Sequence, residues 1–410
     1  MSESRAPRRR PDPPGERVER TERTERPERA ARPGHGRSTL RDVAEAAGVT
    51  SITVSRYLRE PAIVAPETAA RIRKALAASG YLPNKQAGLL ASGRSNIVAA
   101  LLPNLSNSIF AETAQGLSDT LQAAGHELLI ASTNYSLERE EEQLRALLGW
   151  HPAAVVVTGR RHSPGALVLL GNARRAGTPV VEIWDWQLPS ERQASRTARF
   201  AQVGFSHDEV GRAMAQHLLD GGHRHLAYVD TGVAEDYRAH ERGLAFAAAA
   251  RQAGAEVDVL VAPSGDPFNA GREMLARLLG QPLGRPVKRP TSQAPAQPSA
   301  RPSTKAHAAS RSVRPLPITA AAFANDHLAS GALLEAARER VPVPGRLALL
   351  GFGDFAWSRQ LDPPLSSVAL PRYEIGVAAA QALLDARKGV APPERALEWR
   401  LVARASTAAE

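Results

Sequence analysis

From residue 97 onward, short apolar runs alternate with helical stretches, and this alternation restricts the fold more than any other feature. Eight runs are predicted to be buried strands: 97–103, 126–132, 153–159, 179–185, 225–230, 257–262, 318–326 and 347–354. Helical patterns such as 110–124 and 137–148 lie between them. Strands that alternate with helices form parallel sheets covered on both faces. A body of about 280 residues is long for one such sheet, so we expect two doubly wound lobes with a ligand cleft between them.

A different pattern precedes the body, between Thr39 and Arg59. Leu40, Val43 and Ala47 recur at helical intervals, and Gly48 follows as a turn residue. A second short helix is expected after the turn. Helix, glycine turn and helix is the layout of a helix-turn-helix, whose second helix enters the DNA major groove. On spacing alone, an ordinary αα-hairpin is the alternative.

Polar side chains near the start of the second helix are the candidates for contacts with bases and phosphates. Thr50 is the predicted cap of that helix. The candidate DNA-binding residues of this region are Thr39, Thr50, Ser51, Ile52, Thr53, Ser55, Arg56 and Arg59. Arginine is the side chain that most often reads a guanine edge, which favours Arg56 as the specific contact.

Residues 39–56, together with VAPET at 64–68 and GYLPN at 80–84, resemble the headpiece of the LacI/GalR family of bacterial transcription regulators. The resemblance implies an all-α headpiece followed by a hinge helix, with Asn84 and Ala87 also at the DNA and Leu90 wedged between base steps of the minor groove. Gly88 stands where the family often has arginine. A glycine lowers helix stability by roughly 1 kcal/mol relative to alanine, so we expect the hinge to be disordered without operator.

The body resembles the effector-binding core of the same family, which is related in fold to periplasmic sugar-binding proteins. Within the family, the motifs VSRYLR, NYSLEREEEQLRALLGW and VVVTGRRHSP are similar to those of gluconate-operon repressors. This resemblance implies a sugar acid as the effector, either gluconate or a phosphorylated or oxidised relative. A neutral sugar or a protein co-effector is the alternative within the family.

The resemblance also implies which residues contact the effector, at the strand ends that face the cleft. Those candidates are Asn104, Ser106, Phe110, Arg160, Trp184, Arg238, His240, Asn325 and Asp354. The carboxylate needs a cation, and the family's arginine position is occupied by His240. The cation therefore stays open among Arg160, Arg161, Arg238 and His240. Trp184 stands where many relatives have aspartate, and it either stacks on a sugar face or packs in the core.

Positive charge is concentrated in three segments of the chain. Residues 1–37 have 11 Arg against 7 acidic residues, 38–94 have 8 basic against 4 acidic, and 281–317 have 7 basic and no acidic residue. The whole chain is at +10, so the rest of the body is net negative. Basic charge on the headpiece suits phosphate contacts. The 1–37 tail and the 281–317 insertion are rich in Pro, Ser, Ala or Arg, and we expect both to be disordered.

The sequence lacks the motifs that would indicate other classes of protein. The chain has no Cys, G-x-S-x-G elbow, phosphate loop or HExxH motif, so we expect neither an enzyme nor a cofactor. The histidines of GHRH at 222–225 lack further ligands at metal spacing. A sugar-binding transport protein would need a signal peptide and no headpiece. The sequence therefore predicts a cytoplasmic, nucleoid-associated homodimer that binds a palindromic DNA operator and a sugar acid, with no membrane partner.

Overall fold

A computed structural model describes residues 38–82, 95–105, 108–187, 200–280 and 317–408. These residues belong to two compact units, a headpiece and a body. The headpiece consists of α1 (Leu40–Ala47), α2 (Ser51–Arg59) and α3 (Pro66–Ser79). Its core is small and apolar, and it is formed by Val43, Ala44, Ala47, Val54, Ile72 and Ala75. This is the predicted helix-turn-helix with a third helix packed behind it.

The first lobe of the body is built on a six-stranded sheet, all of whose neighbouring strands are parallel. The strand order is β11-β5-β4-β3-β1-β2. The strands are β1 (Ile97–Leu102), β2 (Glu127–Ser132), β3 (Ala154–Thr158), β4 (Val180–Ile183), β5 (Ala201–Gly204) and β11 (Arg395–Ala396). Its helices are α4 (Ala111–Ala123), α5 (Leu137–Leu148), α6 (Pro164–Arg175) and α11 (Arg372–Arg387). Alternate residues of β1 join different apolar clusters, so both faces of the sheet are covered.

The second lobe repeats this plan around a sheet of order β12-β10-β9-β8-β6-β7. Its strands are β6 (His225–Asp230), β7 (Glu256–Val261), β8 (Ala320–Phe323), β9 (Ala348–Gly353), β10 (Ser366–Ala369) and β12 (Arg400–Val402). Only β12 is antiparallel to its neighbour. The helices are α7 (His207–Asp220), α8 (Tyr237–Gln252), α9 (Pro267–Leu278) and α10 (Asp326–Arg338).

The chain passes between the lobes three times. The connections are from β5 to α7, from β10 to α11 and from β11 to β12. The second connection returns α11 to the first lobe, where it packs against α4. A Cβ atom on Gly116 would lie 2.2 Å from the backbone oxygen of Tyr373, so only glycine allows this close helix contact.

The eight predicted strands are all present, most of them with shorter bounds, but the prediction of burial is wrong for the two edge strands β2 and β7, neither of which has a buried residue. Strand β7 lies at the sheet edge, and its Val259 and Val261 are 43% and 58% exposed. The alternation of apolar runs with helical stretches also failed to predict the short strands β5 and β10. The predicted disordered segments 1–37 and 281–316 lie outside the described residues, as does the hinge. Among the described helices, none has the length and hydropathy that a membrane crossing requires.

Candidate functional site

The turn between α1 and α2 is held by caps on both sides. Thr39 accepts a hydrogen bond from the Asp42 backbone N–H, and Asp42 accepts one from that of Thr39, which makes a reciprocal capping box. Gly48 has a φ of 63°, the left-handed conformation that glycine adopts easily. Thr50 then caps α2 by accepting a hydrogen bond from Thr53 at 3.3 Å. The predicted cap is confirmed, and these contacts fix the direction of α2.

The exposed face of α2 carries the predicted DNA contacts. Ile52 is 66% exposed although it is apolar, and Arg56 and Arg59 are exposed one turn apart. Val54 points the other way, into the headpiece core. An exposed isoleucine between hydroxyl and guanidinium groups fits a thymine methyl contact beside polar contacts in the major groove. Asn84, Ala87 and Leu90 lie outside the described residues.

Within the described part of the body, four cavities are lined by residues of both lobes. The largest of them, about 640 Å³, includes Asp185 and Glu241; the other three are named here. One, of about 270 Å³, includes Arg161 and Tyr237 and is called here the Arg161 cavity. The second, of about 360 Å³, includes Asn325 and is called the Asn325 cavity. A smaller cavity of about 30 Å³ is called the central space. It is lined by residues of both lobes, among them Trp184 and Arg242. The predicted cleft between two lobes is therefore present.

Arg160 and Arg161 are near the cleft but are already paired. Arg160 contacts Asp185 at 2.8 Å and Glu241 at 2.7 Å, and Arg161 contacts Glu241 at 2.6 Å. The Tyr237 hydroxyl donates to Asp185 and accepts a 2.7 Å hydrogen bond from the Arg160 backbone N–H. Two carboxylates and two guanidinium groups compensate one another. This network joins the lobes, since Glu241 and Tyr237 are on α8 and the other residues follow first-lobe strands.

Arg238 and Arg242 differ from Arg160 and Arg161 in their pairing. Both are buried on α8, and neither has a carboxylate oxygen within 4 Å among the described residues. Arg238 lines the Arg161 cavity and the central space. Arg242 donates to the Ala324 carbonyl oxygen at 2.9 Å and lies 3.7 Å from the Phe352 ring centroid, while its buried Nε has no partner in the described structure. Among the four predicted cations, Arg238 is thus the one that is buried at the cleft and has no carboxylate oxygen within 4 Å in the described residues.

Trp184 forms the apolar wall of the central space. It is 2% exposed, its indole N–H donates to Thr113 at 3.2 Å, and its ring meets Phe110 edge-on at 5.1 Å. Its backbone oxygen accepts a 2.8 Å hydrogen bond from His207 Nε2. Burial and then the Arg242 charge hold the pKa of His207 well below its usual value. The neutral ring therefore carries its proton on Nε2, and Nδ1 accepts from Arg242 at 3.0 Å.

Two of the predicted effector-binding residues already have charged partners. The His240 side chain is 61% exposed and pairs with Asp230 at 3.3 Å, because its position on α8 turns it away from Arg238 and Arg242. Asp354 has a φ of 47° and pairs with Arg404 at 2.6 Å. Neither residue lines the Arg161 cavity, the Asn325 cavity or the central space, and their roles as effector contacts stay predictions. An exposed histidine would also be a poor clamp for a carboxylate.

Polar side chains surround the Asn325 cavity. Asn325 caps α10 by accepting from Leu328 at 2.9 Å, and Asn104 donates to Asn134 at 3.4 Å. Both residues line the cavity, together with Thr231 and Asp236. Ser106 lies outside the described residues. Paired donors and acceptors of this kind are what a polyol requires, since each buried hydroxyl must be satisfied.

Sequence reasoning missed Tyr135, His207, Asp236 and Arg242 as cleft residues. All four line the central space. Tyr135 follows Asn134 in a loop, and both have a positive φ, which no apolar periodicity shows. Arg242 is one helical turn after Arg238. The i, i+4 spacing of the two arginines was the sequence signal that could have indicated Arg242 as a cleft residue. In the described part of the chain, no group of three or more His, Cys, Asp or Glu side chains is arranged to hold a metal ion.

A buried charge cluster lies beside the cleft. His162 Nδ1 is 2.6 Å from Glu140 and its Nε2 is 3.5 Å from Glu182, and all three side chains are buried. Burial alone would lower the pKa of His162, but the hydrogen bonds and charges of the two carboxylates outweigh it and raise the pKa to about 9. His162 is therefore charged at neutral pH.

This cluster makes body stability depend on alkaline pH. A raised histidine pKa contributes stability that is fully present below about pH 6.5 and is lost as pH rises through about 9. We expect the free energy of unfolding to fall by about 3 kcal/mol over that range. Urea unfolding followed by tryptophan fluorescence measures this. The matched His162→Gln variant should be less stable at pH 6 and should lack this part of the slope; an unchanged slope would contradict the assignment.

Comparisons with known proteins agree with this architecture. Residues 39–84 match the model for bacterial regulatory proteins of the lacI family, and 95–291 match the periplasmic binding proteins and sugar binding domain of that family. Residues 215–407 match the periplasmic binding protein-like domain.

Individual relatives extend over most of the chain. The HTH-type transcriptional regulator GntR of Pseudomonas aeruginosa is 35% identical over 91% of this chain and 96% of its own. A LacI-family transcriptional regulator from Silicibacter pomeroyi has 32% identity and a TM-score of 0.73, covering 90% of this chain and 99% of that one. A lac repressor dimer bound to operator and the anti-inducer ONPF has a TM-score of 0.71 at 19% identity, covering 91% and 100%, and so shows the shared fold. The chain belongs to the LacI family and is a DNA-binding transcriptional regulator.

Proposed function

We propose that this regulator is a homodimeric repressor whose affinity for a palindromic operator is controlled by a sugar acid bound between the lobes. The observation that carries the effector assignment is Arg238, a guanidinium that is only 6% exposed, lines the central space and has no carboxylate oxygen within 4 Å among the described residues, although the charges of Asp236 and Asp185 act on it from farther away. A buried cation of this kind favours an anionic ligand, because the ligand's charge replaces the solvation that burial removes.

The polar residues around Arg238 suit the remainder of a sugar acid. The carboxylate would accept hydrogen bonds from Arg238, with Arg242 contributing positive charge from the next turn of α8. The hydroxyl groups would extend into the Asn325 cavity, toward Asn325 and Asp236. Trp184 and Phe110 supply an apolar wall for the carbon chain. The P. aeruginosa relative bears the name GntR, which supports gluconate or a related acid as the ligand.

A homodimer is supported by the edge of the second lobe. Strand β7 leaves Val259 and Val261 exposed at a sheet edge that pairs with no further strand of the described residues. Exposed apolar side chains on such an edge are a site for association. Two headpieces related by a two-fold axis would then contact two half-sites of a palindrome, as in other helix-turn-helix dimers. The related lac repressor is a dimer on its operator.

Effector control would act through the connections between the lobes. A ligand that contacts both lobes favours the arrangement in which those contacts are made, and a coupling of roughly 1 to 3 kcal/mol is typical of allosteric proteins. Arg238 belongs to the second lobe and Trp184 to the first, so an acid between them has such a preference. Its effect would be to change the operator affinity of the dimer.

Isothermal titration calorimetry of the full chain tests the effector assignment. We expect gluconate, 6-phosphogluconate or 2-ketogluconate to bind at fixed salt, whereas glucose should not bind, because it lacks the charge that Arg238 requires. Operator affinity measured by fluorescence anisotropy with and without the bound acid gives the sign of the response. A response only to neutral sugars, or to none of these compounds, would reject the sugar-acid proposal and favour another effector or a protein co-effector.

A further inference from the structure

Tyr135 occupies a special position in the cleft. It lines the Arg161 cavity, the Asn325 cavity and the central space, and no other described residue lines all three. The Arg161 and Asn325 cavities share no other residue of the described chain. The phenol ring therefore stands as the partition between two cavities of about 270 and 360 Å³.

Backbone geometry holds this partition in place. Asn134 and Tyr135 have φ values of 50° and 65°, a left-handed pair directly before α5. The Tyr135 backbone N–H donates to Thr133 Oγ1 at 3.1 Å, and Asn104 donates to the Asn134 side chain at 3.4 Å. Ser136 then caps α5 at Arg139. These contacts hold the backbone that carries the ring, and the Tyr135 side chain itself is partly buried against the apolar core of the body.

The Tyr135 side chain also lies close to the proposed anion site. Burial and the nearby Asp236 charge raise the pKa of its hydroxyl group, while the Arg238 charge acts in the opposite direction, so the phenol remains neutral. A neutral phenol beside Arg238 does not cancel the charge of the guanidinium group.

We propose that Tyr135 determines the length of the acid that this regulator accepts. The inference rests on the proposed sugar-acid function. With the ring in place, a six-carbon aldonic acid fills the Asn325 cavity and the central space, and a substituent on its carbon chain cannot enter the Arg161 cavity. Without the ring, the Arg161 cavity becomes continuous with that site. Its Thr133 and Thr158 and the Tyr237 ring suit a second sugar, so the accepted class would widen to aldobionic acids, which carry a sugar on the aldonic chain.

The experiment compares gluconate with lactobionate, a gluconate that bears a galactose, by calorimetry on three full-length proteins. The natural chain should bind gluconate and reject lactobionate. Tyr135→Ala should bind lactobionate, and its preference for gluconate should fall by at least about tenfold, the scale on which pocket shape discriminates ligands. Tyr135→Phe keeps the ring and should still reject lactobionate. Operator binding by each variant confirms that it is folded.

The outcomes distinguish a failure of the role of Tyr135 from a failure of the sugar-acid function. Gluconate binding by the natural chain with no gain of lactobionate binding in Tyr135→Ala would overturn the role of Tyr135 alone. Equal binding of both acids by the natural chain would also overturn it. If neither acid bound any of the three proteins, the sugar-acid function would fail and the inference with it.

Discussion

Replacing Arg56 with alanine is expected to lower specific operator affinity by at least about thirtyfold. Arg56 is on the exposed face of α2, whose direction is fixed by the Gly48 turn and the Thr50 cap. A base contact by arginine contributes roughly 1 to 3 kcal/mol, and a dimer loses two such contacts. Binding to unrelated DNA should change little, because it depends on phosphate contacts from many residues. Fluorescence anisotropy with operator and with scrambled duplex at one salt concentration measures both affinities.

Arg41→Ala is the matched control for the lost charge. Arg41 is also exposed on the headpiece, but it is on α1, where it pairs with Glu45 at 2.9 Å. Its removal should weaken specific and non-specific binding alike and by a small factor, since exposed ion pairs contribute little. Equal effects of the two substitutions on the ratio of specific to non-specific affinity would show that α2 is not the recognition helix.

Replacing Arg238 with glutamine is expected to abolish the preference for acids over neutral sugars. Removing one partner of a buried, hydrogen-bonded charge pair costs about 2 to 5 kcal/mol, which corresponds to a loss of about 30-fold to several thousandfold in acid affinity. Arg238→Lys keeps the charge but not the planar fork, so it should retain part of that affinity. Calorimetry with gluconate gives the affinities. Thermal unfolding and operator binding report whether the variants are folded, because Arg238 also stabilises Asp236 and Asp185.

His240→Gln provides the decisive comparison. The family resemblance implies a ligand arginine at the position of His240, yet His240 is exposed and contacts Asp230. We expect its substitution to leave acid affinity within about twofold, since surface changes away from a site have small effects. A large loss at His240 together with a small loss at Arg238 would show that the anion binds at the outer face of α8 and that the buried arginine is structural.

Apolar patterning predicted the architecture well, because both lobes are parallel sheets whose central strands are buried on two faces. Strands such as β1 and β3 are continuous apolar runs, and such runs are visible in one sequence. Strand β7 has a similar composition, but burial depends on which strand lies at the edge, and that is a property of topology. Strand β10, SSVA, is buried while half of its residues are serine, so it gave no apolar signal.

The cleft was harder to predict, because ion pairing between distant residues decides which cations are available. Arg160 and Arg238 are equally plausible from sequence. Only the folded chain brings Glu241 and Asp185 to Arg160 and leaves Arg238 without a paired carboxylate in the described structure. Similarly, the choice between stacking and core packing for Trp184 depends on Thr113 and Phe110, which are more than 70 positions away.

The three passages of the chain between the lobes have a consequence for dissection of the protein. Because α11 returns to cover α4 after β10 of the second lobe and before its last strand, β12, the first lobe is assembled from two separate parts of the gene. A stop codon placed after β10 would retain five of the six strands of the first lobe. It would still remove α11, the helix that contacts Gly116 closely. Neither lobe can be expressed as one uninterrupted fragment, and a single protease cut leaves the halves joined by the remaining passages.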